Sequence, residues 1–99
     1  LEALKLKPTA IVCFNDNVAF GVQDALARAN QKVAVTGYDN TFFSSLERVS
    51  LTTIDQDKES IVSQVVWLLT DPNALKKYQG KEIFIEPGLV VRKSSTKLK

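Results

Sequence analysis

A short apolar run passes directly into a helical pattern in the stretch T-A-I-V-C-F-N-D-N-V-A-F-G-V-Q-D-A-L, residues 9–26. The run at residues 9–14 is continuous rather than alternating, which is typical of a parallel strand buried on both faces. Apolar residues then recur at helical spacing, and Asn15 and Asp16 are of the types that begin helices. The stretch therefore predicts a strand over 9–14 followed by a helix over 16–30.

The alternation of strand and helix continues through the first half of the chain. Residues 33–38 (V-A-V-T-G-Y) and 49–54 (V-S-L-T-T-I) are rich in β-branched residues, and each run predicts a further strand. Between them, residues 42–47 are expected to form a short helical turn. This pattern predicts an α/β fold with a mainly parallel sheet flanked by helices.

A second helical pattern begins at Asp55 or Asp57 and ends before Pro72, because proline restricts the residue that precedes it. The apolar face of this helix is broad for a surface helix. Its members are Ile61, Val62, Val65, Val66, Leu68 and Leu69. A polar connection then leads to short extended segments at residues 83–86 and 89–92.

The composition of the 99-residue chain excludes several classes of protein. Thirteen Lys and Arg against eleven Asp and Glu leave a formal charge of +2, too little for a nucleic-acid-binding surface by charge alone. The absence of histidine removes the commonest metal ligand and the usual general base, so we predict no metal site, no cofactor and no catalytic triad. The apolar runs are too short to cross a membrane. The single cysteine, Cys13, favours a cytoplasmic protein and an inert buried thiol.

The start and the end of the sequence each suggest a separate prediction. The sequence begins with Leu1 and shows no secretion leader, so we expect a fragment of a longer protein. The basic excess near the other end has no acidic residue among its members and is typical of a solvated tail. Its members are Arg92, Lys93, Lys97 and Lys99.

Two polar residues directly follow predicted strands, at the edge where parallel sheets bind ligands. Asn15 offers both donors and an acceptor, and an ionised Asp39 can accept from two neighbouring hydroxyls, as a sugar or polyol would present them. The structural alternatives remain open, with Asn15 as a helix N-cap and Asp39 as a turn residue. Asp16 is a weaker ligand, since its place in the first helical turn is explained by the helix dipole.

Four blocks of this sequence resemble the LacI/GalR family of bacterial transcriptional regulators. They are P-T-A-I-V-C-F-N-D-N-V-A-F-G-V-Q-D-A-L (8–26), V-A-V-T-G-Y-D-N (33–40), L-T-T-I-D-Q (51–56) and G-L-V-V-R-K-S (88–94). The ending I-F-I-E-P-G-L-V-V-R-K-S also resembles arabinose-type repressors. Together the blocks cover most of the chain in the family's order.

The resemblance implies a periplasmic-binding-protein-like fold of type I, with two α/β lobes around a ligand cleft. Residues 1–54 would then belong to the C-terminal lobe. Residues 55–82 would form a hinge crossing and a helix of the N-terminal lobe. Residues 83–99 would return to the C-terminal lobe and end as a basic tail.

The resemblance also implies binding residues. Asn15 matches an asparagine that hydrogen-bonds the effector, Asp39 matches the acceptor of sugar hydroxyls, and Gln56 lies at the crossing near the cleft. Lys58 stands where several members place an aromatic residue, a departure that would favour an acidic or phosphorylated effector; its alternative is a solvent-facing lysine. Asn40 replaces the second aspartate of the family motif G-[FY]-D-D, so one negative charge is lost near the site.

The family's dimer interface would include Phe42, Phe43 and Leu46, although core packing of one phenylalanine is an open alternative. Trp67, on the second helix, is predicted first to be a packing residue, against either the other lobe or a partner. Because a fragment would leave the broad apolar face of that helix uncovered, we expect it to be oligomeric, swapped or repacked there.

The resulting function is that of an effector-binding and dimerisation portion of a regulator, allosteric and not catalytic. Its partners would be a small molecule such as a sugar, a second copy of the chain, and DNA only through an N-terminal domain outside this sequence. One alternative is a sugar-binding protein of a transport system, which shares the fold. Another is an enzyme that uses Asp16, Asp39 or Asp55, for which the sequence supplies no partner groups.

Overall fold

The computed structural model describes residues 5–96 and contains short strands and helices in an alternating order. Turns of 3-10 helix at Phe42–Ser45 and Lys93–Ser95 accompany them. The elements are β1 (Ala10–Val12), α1 (Asp16–Arg28), β2 (Ala34–Thr36), β3 (Thr53–Asp55), α2 (Lys58–Thr70), α3 (Pro72–Tyr78) and β4 (Gly88–Val90).

The chain divides into two compact units. Unit 1 contains the residues up to Asp55 and those from Leu89 onward, and unit 2 is Gln56–Gly88. Unit 1 is therefore built from two separate stretches of sequence. The assignment of residues 1–54, 55–82 and 83–99 to the lobes of a larger domain stays a prediction.

Unit 1 is organised around parallel strands with α1 packed on one face. β1 pairs with β2 in parallel, with Ala10 opposite Ala34 and Val12 opposite Thr36. A parallel bridge from Thr36 to Thr52 adds the chain that leads into β3, and β3 pairs with β4. The buried core joins the strands to the inner face of α1 and contains Cys13, Ala19, Leu26, Val35 and Leu51.

The prediction that the first strand is buried on both faces is wrong. The side chain of Ile11 packs against the core, but Val12 is 83% exposed and Phe14 is 87% exposed. A parallel sheet needs a layer on each face, and within residues 5–96 this second face is uncovered. It forms an apolar groove of about 290 Å³ that Tyr38 and Leu89 help to line.

The helix boundaries follow local sequence signals. α1 ends at Arg28, two residues before the predicted end, and Asn30 then adopts a left-handed conformation with φ 51°. α2 begins after Asp57 rather than Asp55, because the Asp57 carboxylate accepts a hydrogen bond from the Ser60 backbone N–H at 3.2 Å.

The polar connection predicted after Pro72 is wrong, because it contains α3. Asp71 is the last cap of α2 and the first cap of α3, where its carboxylate accepts from the backbone N–H groups of Asn73 and Ala74 at 2.9 and 3.3 Å. Pro72 occupies the first position of α3, where its missing N–H costs nothing. Residues 83–86 are not a strand.

Unit 2 exposes much of its apolar surface. α2 has no buried residue among those described, and Leu69 is 76% exposed. The ring of Trp67 meets that of Tyr78 edge to face, with the centroids 5.6 Å apart, so Trp67 packs within unit 2. Its packing against the other lobe or a partner stays a prediction. No helix of the described residues is long and apolar enough to cross a membrane.

Candidate functional site

Asn15 and Asp39 lie at the carboxyl ends of β1 and β2, on the same edge of the sheet. The backbone N–H of Asp16 donates to the carbonyl of Tyr38 at 3.0 Å, so the residues adjoining Asn15 and Asp39 are hydrogen-bonded to each other. The Asn15 Oδ1 atom accepts from the Val18 backbone N–H at 2.9 Å, which confirms the N-cap interpretation. This cap uses only Oδ1, so the Nδ2 group of Asn15 takes no part in it.

The loop after β2 has an unusual backbone. Asp39 has φ 122° and Asn40 has φ 54°, both in the region that favours glycine. The backbone N–H of Asp39 donates to the Ile54 carbonyl at 2.9 Å, which anchors the loop to β3. Residues held in such conformations cost about 1–3 kcal/mol each and cluster at functional sites, so the loop is a candidate for one.

Asp16 is completely buried, and its carboxylate accepts hydrogen bonds that fix this loop. Its Oδ2 atom accepts from the backbone N–H of Thr41 at 2.7 Å and from the Thr41 hydroxyl at 3.2 Å. Its Oδ1 atom accepts from the Thr53 hydroxyl at 2.6 Å. The helix-dipole interpretation of Asp16 is therefore incomplete, because the carboxylate joins three chain segments.

The small residue Gly37 makes room for this carboxylate. A Cβ atom at Gly37 would lie 2.4 Å from Asp16 Oδ1 and 3.2 Å from the Asp16 Cα atom. A glycine at the end of β2, in the motif V-T-G-Y, was the sequence signal that could have indicated a buried group beside it.

The side chain of Asn40 connects three groups of unit 1. Its Nδ2 group donates to Asp55 Oδ2 at 3.0 Å. Its Oδ1 atom accepts from the Ser44 hydroxyl at 3.1 Å and from Arg92 Nη2 at 2.9 Å. The amide thus keeps the loop in place although the family motif's second aspartate is absent.

The interpretation of Arg92 as part of a solvated tail is wrong. Its Nη1 group donates to Ser44 Oγ at 3.0 Å and to the Leu51 carbonyl at 2.9 Å, and its backbone N–H donates to Thr52 Oγ1 at 2.8 Å. Lys93, by contrast, forms a surface ion pair with Glu47. The predicted tail residues Lys97 and Lys99 lie outside the described residues.

Ser94 joins the end of the described chain to the sheet. Ser94 Oγ donates to the Val35 carbonyl at 2.6 Å and accepts from the Thr52 backbone N–H at 2.7 Å. These bonds place the last 3-10 turn against β2. Unit 1 is therefore completed by residues near the end of the described chain, which are distant in sequence from the residues they bind.

The remaining predicted residues are divided between the two units. Gln56 and Lys58 belong to unit 2, where Gln56 is half-buried and Lys58 is the exposed first residue of α2. Phe42 is 77% exposed and Phe43 is 59% exposed, so the alternative of core packing for one of them is wrong. Their rings meet edge to face at 5.6 Å, and Leu46 follows directly after this 3-10 turn.

The described residues offer little for catalysis. Within residues 5–96, no three Cys, Asp or Glu side chains converge as metal ligands would. Cys13 is buried, as predicted, and burial raises the pKa of its thiol, which opposes formation of a nucleophilic thiolate. Asp16, one of the carboxylates of the enzyme alternative, is enclosed by its three hydrogen bonds and cannot reach a substrate.

The structure has parallel strands with a helix packed on them and polar residues in the loops at their carboxyl ends, the edge at which open α/β sheets bind ligands. The chain belongs to the family of periplasmic-binding-protein-like domains, whose family model matches residues 1–95. The predicted fold class is therefore confirmed.

Individual relatives indicate a more specific class of protein within this family. The chain is 37% identical over 102 residues to the HTH-type transcriptional repressor PurR of Mannheimia succiniciproducens, and 31% identical over 102 residues to the PurR of Vibrio campbellii. Each match covers 99% of this chain and 30% of the relative. A LacI-family transcriptional regulatory protein from Corynebacterium glutamicum has a similar structure, with a TM-score of 0.77 and 26% identity over 95% of this chain and 39% of that one.

These findings confirm the resemblance to LacI/GalR-type regulators. The relatives are named as repressors, in agreement with the prediction that the chain is not an enzyme. The chain spans about 30% of the length of the curated relatives that it matches.

Proposed function

We propose that this chain is a portion of the effector-binding domain of a cytoplasmic transcriptional regulator and that it binds a polyhydroxylated metabolite such as a sugar. The observation that carries the proposal is the left-handed Asp39–Asn40 loop, held beside Asn15 at the carboxyl edge of the sheet. The repressor relatives support the regulatory part of the proposal. They also disfavour the alternative of a sugar-binding protein of a transport system.

The ligand chemistry follows from the two side chains. The Asp39 carboxylate would accept from two neighbouring hydroxyls in charge-assisted hydrogen bonds. The Asn15 Nδ2 group would donate to a ring or hydroxyl oxygen, because Oδ1 caps α1. Gln56 and Lys58 would add contacts from the crossing segment, and the Lys58 ammonium would favour a phosphorylated or acidic effector.

The proposed mechanism is allosteric. A ligand in the cleft of the complete domain would favour one relative orientation of its two lobes, and a dimer would pass this preference to a DNA-binding domain elsewhere in the protein. The exposed rings of Phe42 and Phe43, together with Leu46, supply an apolar surface suited to such a dimer. The broad apolar face of α2 would be covered in the assembled protein.

Calorimetry of the full-length protein with pentoses, hexoses and their phosphates tests the site. Asp39→Asn removes a charged acceptor at nearly constant size, and losing two charge-assisted hydrogen bonds should weaken binding about 100-fold. Asn15→Ser keeps an N-cap oxygen but removes the amide donor, and should weaken binding about tenfold. Asp24→Asn, on the exposed side of α1, is the matched control. Unchanged affinity in the first two variants would remove the site assignment.

A further inference from the structure

The side-chain amide of Asn40 lies between a cation and an anion. Its oxygen faces the Arg92 guanidinium at 2.9 Å, and its nitrogen faces the Asp55 carboxylate at 3.0 Å. A neutral amide can present an acceptor to one group and a donor to the other, which neither a carboxylate nor a hydroxyl of this reach can do in the same geometry. Asn40 is therefore matched to both of its neighbours.

An aspartate at this position would be opposed by Asp55. It would place a second carboxylate oxygen where the Asn40 Nδ2 group now donates, about 3 Å from Asp55 Oδ2, with no hydrogen between them. Two carboxylates so close disfavour their common ionised state. Asn40 departs from the motif G-[FY]-D-D, which has an aspartate at this position. Within this chain the lost carboxylate is compensated, because in the pair of residues 40 and 55 the acid is Asp55.

The amide also holds the backbone that carries Asp39. Asn40 adopts φ 54°, a conformation that asparagine tolerates better than most residues, and its backbone N–H donates to Thr53 Oγ1 at 3.3 Å. Arg92, fixed by Ser44 and the Leu51 carbonyl, supplies a rigid anchor on one side. Asp55, the last residue of β3, supplies the anchor on the other.

We propose that Asn40 is a positioning residue that fixes the Asp39 loop by bridging Arg92 to Asp55, and that this role requires one amide and one acid at positions 40 and 55 rather than two acids. Asn40 contacts no effector in this scheme and acts through Asp39. The functional consequence rests on the proposed function, in which Asp39 binds the effector. The placement of the loop itself can be measured without an effector.

The test exchanges the two side chains. Asn40→Asp should raise the hydrogen-exchange rates of the Asp39 and Thr41 amides about tenfold or more in the full-length protein, while amides inside α1 serve as the internal reference. Asn40→Asp combined with Asp55→Asn restores one donor and one acid with reversed polarity, and should return both rates to within about threefold of wild type. Asn40→Ala combined with Asp55→Asn cannot form the bridge and should not recover.

The outcomes separate the inference from the proposed function. Wild-type exchange rates in Asn40→Asp, or no recovery in the exchanged double variant, would overturn the bridge. If exchange behaves as expected but affinities for the panel of pentoses, hexoses and their phosphates do not follow it, the bridge stands and the assignment of Asp39 to the effector fails. Recovery of both exchange and sugar affinity in the double variant supports both.

Discussion

Gly37→Ala should strongly destabilise unit 1. The new Cβ atom would lie 2.4 Å from Asp16 Oδ1 and 2.9 Å from Leu51 Cδ2, both of which belong to completely buried residues. It would also lie 3.2 Å from the Asp16 Cα atom, so a side-chain rotation alone cannot relieve the clash. The carboxylate must move, and its hydrogen bond to Thr53 moves with it.

The cost has two parts. Overpacking a filled core costs about 1–3 kcal/mol. Disrupting a hydrogen bond to a buried charged group adds about 1.5–3 kcal/mol. We therefore expect Gly37→Ala to lower the free energy of unfolding by about 2.5–6 kcal/mol.

Urea unfolding followed by circular dichroism measures this, and Gly21→Ala is the matched control. Gly21 lies inside α1, where an added Cβ atom would have nothing within 4 Å. The same chemical change there should stabilise by about 0.5–1 kcal/mol, because alanine loses less backbone entropy in a helix. If both variants change stability equally, or if Gly37→Ala is neutral, the packing of Gly37 against Asp16 is not as described.

Three further predictions concern single side chains. Asp16→Asn should cost about 2–4 kcal/mol in the same unfolding assay, because an amide cannot accept all three donors, whereas Asp24→Asn at the surface should change stability by less than about 0.5 kcal/mol. Cys13 should react with a thiol reagent much more slowly than a free cysteine at pH 8, because burial and its raised pKa both suppress the thiolate; rapid modification of the folded protein would contradict this. Asp71→Ala should cost about 1 kcal/mol and increase hydrogen exchange in the first turn of α3 more than in α1, with equal changes in both helices counting against the capping role.

Local signals in the sequence predicted the two long helices better than the strands; the strand predicted over 49–54 begins in a turn, and the structure forms β3 only at Thr53–Asp55. The start of α1 was predictable because Asn15 caps it within three residues, and Asp57 begins α2 in the same way. The error at Pro72 also has a local origin. Proline both follows a helix end and opens the next helix, and the second possibility was missed.

The site was less predictable because its bonds join distant residues. Asp16 and Thr53 are separated by 37 positions, and Arg92 and Asn40 by 52. Neither spacing carries a periodicity or motif. The buried Asp16 was therefore interpreted as a helix-dipole residue, and the hydrogen-bonded, half-buried Arg92 as part of a tail. The exposure of Val12 could not be predicted for a related reason, since a strand pattern cannot tell which layers will cover it.

The closure of unit 1 by Ser94 has a consequence for synthesis on the ribosome. The Val35 carbonyl accepts from Ser94, which is translated 59 residues later. At ordinary elongation rates this hydrogen bond cannot form until about 3–12 s after Val35 is translated. During that interval all of Gln56–Gly88 is translated, so the sequence of unit 2 is complete before that of unit 1. Such high contact order should make unit 1 the slow step of folding and expose its strand edges to chaperones while the chain grows.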